Sequence, residues 1–241
     1  MAPKKKNPII PSIVNTKIDR PQSDVVSQLS EFPTTIISDC LNRMNNVGST
    51  FRPMGEKQEF CGPAFTVEEV EAGNLMSHLA LNFVKKGDVL VIDAKGITSR
   101  SCWGGLQTFA AKCQGVAAIV INGVIRDIDA VNKYKIAVFA LGTSPAGPMK
   151  GWGGHINRCI SFPGIAISPG DIIRGDADGI VVIPKDIVKN IIPLCKERIR
   201  MEDKWFDKVK NGENTVSAVG LNDKFKELGI DIDSIKENEI E

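Results

Sequence analysis

Two short segments of the chain contain residues whose types and order could do chemistry. In the first, an apolar run over residues 116–121 leads to Gly123 and then to Arg126 and Asp127. A guanidinium can bind a carboxylate through two parallel hydrogen bonds. An aspartate supplies the hard oxygen ligand that Mg²⁺ or Mn²⁺ accepts, with waters completing the shell. This segment therefore predicts a site for an anionic substrate and a divalent metal, with Asp127 as the metal ligand.

The second segment is a glycine pair, Gly104 and Gly105, at the start of a helical pattern over residues 105–113. The first N–H groups of a helix have no partner within it and lie at the positive end of its dipole. The loop continues through Leu106 and Gln107, so its backbone N–H groups could hold a carboxylate or an enolate oxygen.

Both segments also have a plainer interpretation, which the sequence leaves open. Arg126 and Asp127 could form only a salt bridge at a strand end, and the glycine pair could be an ordinary turn. The position after a buried strand favours the ligand interpretation for the charged pair, because ligand residues collect at such strand ends in sheet-based folds.

Other residues are weaker candidates. The two histidines, His78 and His155, are too far apart to form an HxxxH or HExxH pair, and His78 lies on an apolar helical pattern that favours partial burial. Cys102 is interpreted as a small hydrophobic residue. Lys95 and Lys133 have polar neighbours, so neither has the apolar setting that a Schiff-base aldolase requires.

Composition excludes several classes of protein. The chain has 241 residues, 42% hydrophobic and 24% charged, which is enough to bury a large core without disulfides. A net charge of +1 argues against nucleic-acid or anionic-membrane partners, and no apolar run is long enough to span a membrane. The scattered cysteines lack zinc-site spacing, which predicts reduced thiols in a cytoplasmic protein.

The elements that would position the two segments alternate between strands and helices. Apolar runs over residues 89–93 and 116–121 are continuous enough to predict strands covered on both faces. The alternation predicts an α/β domain over residues 23–184. A flexible arm over residues 1–22 precedes it, and a C-terminal helical extension over residues 185–241 follows it.

A series of short motifs resembles the RraA-like family over about residues 30–230. Within that family, the chain is most similar to the branch that cleaves 4-hydroxy-4-methyl-2-oxoglutarate and 4-carboxy-4-hydroxy-2-oxoadipate. The motifs are Ser-Asp-Cys-Leu at 38–41, Gly-Pro-Ala-Phe-Thr-Val at 62–67, Asn-Leu-Met at 74–76 with His78, Gly-Asp-Val-Leu-Val at 87–91, Gly-Gly-Leu at 104–106, Gly-Val-Ile-Arg-Asp at 123–127, Pro-Gly-Asp-Ile-Ile at 169–173 and Gly-Asp-Ala-Asp-Gly at 175–179.

The resemblance implies a compact fold of layered β-sheets flanked by helices, of the swivelling β/β/α type, assembled as trimers or hexamers with active sites at subunit interfaces. It implies Mg²⁺ or Mn²⁺ held by Asp127 and waters, and Arg126 in contact with the substrate and a developing pyruvate enolate. It also implies that backbone N–H groups of the 104–107 loop bind the pyruvoyl carboxylate. Glu202, on the C-terminal helix, matches a glutamate that reaches a neighbouring active site.

The chain departs from the family at three positions where members often carry an acidic residue. These positions are Gly73, Gly105 and Asn122. Compared with those family members, the chain would have three fewer carboxylates near one cleft. This difference would affect metal affinity, proton transfer and substrate choice.

The leading hypothesis is a metal-dependent lyase that acts on a small 2-oxo acid. It would break the C–C bond of a 4-hydroxy-2-oxo acid through the enolate of pyruvate, and the same machinery would decarboxylate oxaloacetate. The first alternative is a non-enzymatic binding protein like the ribonuclease-E regulators that share the fold. The second is a methyltransferase, although the sequence has no glycine-rich strand–loop–helix for S-adenosylmethionine.

Overall fold

The computed structural model describes residues 11–230. Contacts divide the chain into two compact units, Met1–Ile192 and Pro193–Glu241. The domain boundary between residues 184 and 185 stays a prediction.

The first unit contains strands and short helices in alternation, as the sequence predicts. The helices are α1 (Ser23–Ser30), α2 (Thr34–Cys40), α3 (Leu75–Ala80), α4 (Gly105–Cys113) and α5 (Ile128–Tyr134). The strands are β1 (Arg52–Pro53), β2 (Phe60–Glu68), β3 (Val89–Trp103), β4 (Ala118–Ile125), β5 (Ala137–Ala140), β6 (Gly142–Thr143), β7 (His155–Ile156), β8 (Ile160–Phe162), β9 (Ile165–Ile167), β10 (Ile172–Asp176) and β11 (Gly179–Ile183).

Most of these strands form one sheet in the order β1-β5-β4-β3-β2-β10-β11, with β6 added beside β4 and β7 beside β2. The pairs β2–β3, β3–β4 and β4–β5 are parallel. Strand β1 is antiparallel to β5, and β10 is antiparallel to both β2 and β11. Strands β8 and β9 form a separate hairpin. The architecture is the predicted α/β fold with helices flanking a layered sheet.

The two faces of the central strands pack into two different apolar clusters. Along β3, Leu90 and Ile92 belong to one cluster, and Val89 and Val91 belong to the other. Because successive side chains of a strand point to opposite faces, both faces of the sheet are buried here. This confirms the cover that the continuous apolar runs predict.

Strands β3 and β4 are longer than the sequence pattern suggests. The run that begins at residue 89 does not end at Asp93 but continues through β-bulges to Trp103. Strand β4 also passes through Gly123, where a Cβ atom would lie 3.0 Å from the Cβ of Ala94 and 3.3 Å from the Sγ of Cys102. Gly123 is therefore a point of close strand packing rather than the end of the strand.

The described part of the predicted N-terminal arm, residues 11–22, makes specific contacts with the rest of the first unit. Val14 forms a β-bridge with Ile156. The guanidinium of Arg20 donates from Nε and Nη2 to the two carboxylate oxygens of Asp88, each at 2.7 Å. Residues 1–10 of the predicted arm lie outside the described residues, and the arm's flexibility stays a prediction.

The C-terminal extension is helical, as predicted, over its described part. A 3₁₀ turn (Lys185–Ile187) precedes α6 (Val188–Lys210), which contains Pro193. Two short helices, α7 (Thr215–Val219) and α8 (Asn222–Glu227), follow it. Among the helices of residues 11–230, none combines the length and apolar composition that a membrane span requires.

The ion pair between Arg20 and Asp88 should be important for stability. The Asp88 side chain has no exposed area, and Arg20 is the cation that pairs with it. Removing one member of a buried pair leaves an uncompensated charge, so Arg20→Ala should lower the free energy of unfolding by about 3 kcal/mol. Urea unfolding measures the effect, with the exposed Lys17→Ala as the matched control. An Arg20→Ala protein as stable as the control would contradict the prediction.

Candidate functional site

The two segments singled out in the sequence meet where two neighbouring parallel strands end. Trp103, the last residue of β3, pairs with Ile125, the last residue of β4. The N–H of Arg126 donates to the carbonyl of Trp103 at 3.0 Å. Helix α4 begins directly after β3, and α5 begins directly after Asp127. The glycine loop and the charged pair are therefore held side by side by backbone pairing.

Asp127 is fixed by its backbone and by its neighbour across the strand ends. It has a left-handed conformation, φ 62° and ψ 49°, at the N-terminus of α5. Its Oδ2 accepts a hydrogen bond from the N–H of Gly105 at 2.8 Å and lies 3.7 Å from the Nε of Arg126. The side chains of Arg126 and Asp127 are 44% and 50% exposed. The pair therefore has the salt-bridge contact of the plain interpretation, yet both groups remain open to a ligand.

Gly104 and Gly147 allow the backbone to approach these charged groups. A Cβ on Gly104 would lie 2.8 Å from Oδ2 of Asp127 and 3.3 Å from Nε of Arg126. A Cβ on Gly147 would lie 3.0 Å from Nη1 of Arg126. Gly104 is extended, with φ −157°, so the requirement there is for space rather than for an unusual backbone conformation.

These residues line a cleft of about 340 Å³. All of the sequence-predicted site residues of the first unit are in its wall. The lining comprises Asn74, His78, Trp103, Gly104, Gly105, Leu106, Gln107, Arg126, Asp127, Gly147, Pro148 and Lys150.

The four residues of the glycine loop have different environments. The N–H of Gly105 is committed to Asp127, so it is not free to bind a substrate carboxylate as the structure stands. The N–H groups of Leu106 and Gln107 lie in the first turn of α4, where no partner exists within the helix. The Leu106 side chain is largely exposed, whereas Gln107 is buried. The N–H groups that remain for an anion are thus those of the first helical turn after Gly105.

Sequence reasoning missed the part of the cleft wall that α3 and the residue before it form. Asn74 precedes α3, and His78 lies on it; the sequence favoured a partly buried role for His78. The buried carboxylate of Glu69 accepts hydrogen bonds from the N–H groups of Met76 and Ser77 and from the Ser77 hydroxyl. Glu69 thereby fixes the start of this helix. The motif Asn-Leu-Met with His78 was visible in the sequence, but no spacing rule connects it to the strand ends.

The electrostatics of the cleft favour an anion. Among the described residues, its wall contains the cations Arg126 and Lys150 and a single carboxylate, that of Asp127. Burial lowers the pKa of His78 below its usual 6.5, and the positive charge of Lys150 lowers it further. His78 is therefore neutral at pH 7.

Asp127 is suited to bind a metal ion whose other ligands are mostly water molecules. Oδ2 is used by Gly105, and no described residue donates to Oδ1. Over residues 11–230, no cluster of three or more His, Cys, Asp or Glu side chains could enclose a metal ion. Mg²⁺ commonly keeps several waters and binds through one or two carboxylates. A single half-exposed aspartate therefore matches the coordination of Mg²⁺ better than it matches an enclosed, zinc-type site.

Each departure from the family's acidic positions lies next to another carboxylate. A Cβ at Gly73 would lie 3.4 Å from Oε2 of Glu69, and a Cβ at Gly105 would lie 3.4 Å from Oδ2 of Asp127. The amide of Asn122 donates to Oδ1 of Asp93 at 2.8 Å. An acidic residue at any of the three positions would place two like charges together, which is unfavourable unless a cation or proton intervenes.

Two other candidate groups from the sequence, Cys102 and Lys95, do not line the cleft and are not activated as nucleophiles. Burial, and to a lesser extent the charge of Glu69, raises the pKa of the Cys102 thiol to about 12, so the thiol stays protonated. Burial opposes the charge of Lys95, but hydrogen bonds from Lys95 to Asp93 and Glu68 outweigh it and raise the pKa. Lys95 is therefore a charged ion-pair partner and not a Schiff-base lysine.

Glu202, the remaining predicted site residue, lies on α6 within the second unit. Its Oε1 accepts a hydrogen bond from Nε of Arg198 at 3.1 Å. The guanidinium of Arg198 also lies over the ring of Trp205, 5.0 Å from its centroid. The catalytic part assigned to Glu202 stays a prediction.

Comparisons with known proteins agree on one family. Residues 34–182 match the RraA-like family, described as Aldolase/RraA. A Halalkalibacterium halodurans protein named "Putative 4-hydroxy-4-methyl-2-oxoglutarate aldolase" is 41% identical over 175 residues, which are 73% of this chain and 83% of that protein.

Solved structures give the same fold. A Geobacillus kaustophilus protein named S-adenosylmethionine: 2-dimethylmenaquinone methyltransferase has a TM-score of 0.61 at 33% identity, covering 65% of this chain and 98% of its own. The RNA-processing inhibitor RraA from Thermus thermophilis has a TM-score of 0.60 at 25% identity, covering 64% of this chain and 93% of its own.

The electrostatic setting of His78 can be measured directly. In an NMR titration, the His78 imidazole should have a midpoint below 6.5, because burial and Lys150 both disfavour its charged form. Lys150→Ala should raise the midpoint only part of the way, since burial remains. His155→Gln identifies the resonance, and the exposed Lys112→Ala is the control for loss of a distant charge. A midpoint unaffected by Lys150→Ala would show that the two residues do not interact.

Proposed function

The chain belongs to the RraA-like family, and we propose that it is a divalent-metal-dependent lyase that cleaves 4-hydroxy-2-oxo acids to release pyruvate. The observation that carries the proposal is the meeting of Arg126, Asp127 and the first turn of α4 in one cleft. The relatives named as 4-hydroxy-4-methyl-2-oxoglutarate aldolases support the same reaction type.

Arg126 is the group proposed to hold the substrate anion. Its guanidinium lies at the strand end and is 44% exposed, and among residues 11–230 its one ion-pair partner is the carboxylate of Asp127, at 3.7 Å. The planar fork can therefore donate to a substrate oxygen while it remains beside Asp127. When the bond between C3 and C4 breaks, its electrons move into the enolate of pyruvate, and a fixed cation stabilises that charge more than it stabilises the ground state.

The first turn of α4 is proposed to orient the pyruvoyl carboxylate. The N–H groups of Leu106 and Gln107 have no partner within the helix, and the helix dipole adds positive potential there. Binding at this point would leave the C3–C4 bond facing the rest of the cleft, where Asn74 and His78 lie.

Asp127 would hold Mg²⁺ or Mn²⁺ through the oxygen that Gly105 does not use. Such an ion, when bound, supplies Lewis-acid polarisation of the 2-oxo group. The residues of the chain contribute position: the N–H of Gly105 fixes one oxygen of Asp127, and the left-handed backbone fixes the direction of the side chain. Decarboxylation of oxaloacetate belongs to the same proposal, because it also generates the enolate of pyruvate.

A homo-oligomer, trimer or hexamer, is part of the proposal. Large exposed apolar side chains occur within two positions of residues that line the cleft, and exposed apolar clusters commonly mark interfaces. They are Leu75, Leu79, Leu106, Phe109, Met149 and Trp152. In such an assembly, Glu202 of one copy is proposed to transfer the proton of the C4 hydroxyl at the site of another copy. The free cysteines are in keeping with a cytoplasmic location, which is also proposed.

The alternative function is that of a non-enzymatic binding protein. The similarity to a protein named as an RNA-processing inhibitor supports it. A cleft with two cations beside a half-exposed aspartate favours the lyase, because a binding surface has no need of a group placed to hold a metal.

Metal dependence is tested by pyruvate release from 4-hydroxy-4-methyl-2-oxoglutarate and from oxaloacetate. EDTA should abolish both reactions, and Asp127→Asn should lower kcat/KM at least about 100-fold, since metal polarisation contributes several kcal/mol. Asparagine tolerates the left-handed backbone of this position, so the variant should fold. The matched control is Asp129→Asn, an exposed aspartate two positions along. Equal activity of Asp127→Asn and the control would refute the metal assignment.

The intersubunit role of Glu202 is tested by complementation. Asp127→Asn and Glu202→Gln proteins should each be inactive in aldol cleavage, whereas co-expressed mixed oligomers should recover activity. Recovery requires a site in which intact Asp127 of one copy meets intact Glu202 of another. Glu197→Gln, an exposed glutamate on the same helix, should behave as wild type. Two inactive parents without recovery would place Glu202 in its own subunit's site or outside the reaction.

A further inference from the structure

Two buried amide side chains in the wall of the cleft are only half satisfied. Asn74 and Gln107 are 3% and 4% exposed. Nδ2 of Asn74 donates to Oε1 of Gln107 at 3.3 Å and approaches Nε2 of His78 at the same distance. Oδ1 of Asn74 and Nε2 of Gln107 have no hydrogen-bond partner among the described residues.

The unmet atoms define what would satisfy them. One is an acceptor and the other is a donor, and reversing both amides together still leaves one of each. A carboxylate cannot donate to the free oxygen, and an ammonium group cannot accept from the free N–H. A hydroxyl group does both. A buried amide atom without a partner is unfavourable, so a group that fits both atoms is strongly preferred to one that fits neither.

The position of the pair relates this chemistry to the reaction. Gln107 lies in the first turn of α4, two residues after Gly105, whose N–H holds Asp127. Asn74 lies against Gln107 through the hydrogen bond between their amides, and its Nδ2 is also 3.3 Å from Nε2 of His78. A substrate whose pyruvoyl carboxylate is at the start of α4 would present its C4 substituents to this amide pair.

We propose that the Asn74–Gln107 amide pair recognises the C4 hydroxyl of the substrate and thereby selects 4-hydroxy-2-oxo acids over unhydroxylated 2-oxo acids. The inference rests on the proposed function and names the residues that set its substrate class. Nε2 of Gln107 donates to the hydroxyl oxygen, and the hydroxyl donates to Oδ1 of Asn74 before the proton is removed. Oxaloacetate has no hydroxyl at this position and gains nothing from the pair.

The test is Gln107→Met, which keeps the length of the side chain and removes its hydrogen-bonding groups. Its kcat/KM for cleavage of 4-hydroxy-2-oxoglutarate should fall about tenfold, the effect of losing one hydrogen bond to a buried polar group. Its kcat/KM for decarboxylation of oxaloacetate, which has no hydroxyl to lose contact with, should fall less, so that the ratio of the two kcat/KM values shifts several-fold in favour of oxaloacetate. Gln114→Met, the same change at an exposed position at the end of α4, is the control. Gln107→Leu is a second variant, and thermal unfolding verifies that both fold.

Equal losses of kcat/KM in the two reactions would show that Gln107 only supports the structure of the site. Unchanged kinetics would show that water, and not the substrate, satisfies the amide pair. Either result overturns the inference. If the wild-type protein releases pyruvate from neither acid, the proposed function fails. Calorimetry with 2-oxoglutarate and 4-hydroxy-2-oxoglutarate, which differ by one hydroxyl, then decides the inference alone. Tighter binding of the hydroxylated acid that Gln107→Met abolishes would support it, and equal affinities would overturn it.

Discussion

The pairing of the ends of β3 and β4 is the constraint from which the site follows. Trp103 and Ile125 are held in register, so the residues after them, Gly104 and Arg126, must leave the sheet together. The hydrogen bond from Gly105 to Asp127 then joins the start of one helix to the residue that precedes another. Because both strands are buried in a closely packed sheet, the charged pair has little freedom except in its side chains.

The sequence predicts this part of the molecule well because its signals are local. Continuous apolar strands, a glycine pair before a helix, and an arginine–aspartate pair after a strand can each be read in a few residues. The length of β3 was not predictable in the same way. Its continuation beyond Asp93 depends on bulges paired against β4, and the place of Gly123 depends on contacts with Ala94 and Cys102. Those are tertiary contacts, and no local pattern encodes them.

The part of the cleft formed by Asn74 and Gln107 was even harder to predict from local sequence patterns. Asn74 and Gln107 are far apart in sequence, and only folding brings their amides to 3.3 Å. An asparagine before a helix is usually interpreted as a cap, yet the Asn74 side chain makes no cap hydrogen bond. The carboxylate of Glu69 performs that role instead. Burial of unpaired polar atoms, which marks this wall as a place for a ligand, is visible only in three dimensions.

The two walls of the cleft are fixed by different sets of contacts, and this has a consequence for divergence among related proteins. One wall is fixed by the register of β3 and β4, and the other by a buried glutamate at the start of α3. Replacements around α3 can therefore accumulate without disturbing the pair that holds the reactive end of a ligand. Related proteins with this fold can therefore acquire new substrates through substitutions around α3, while the residues at the ends of β3 and β4 keep the same reaction.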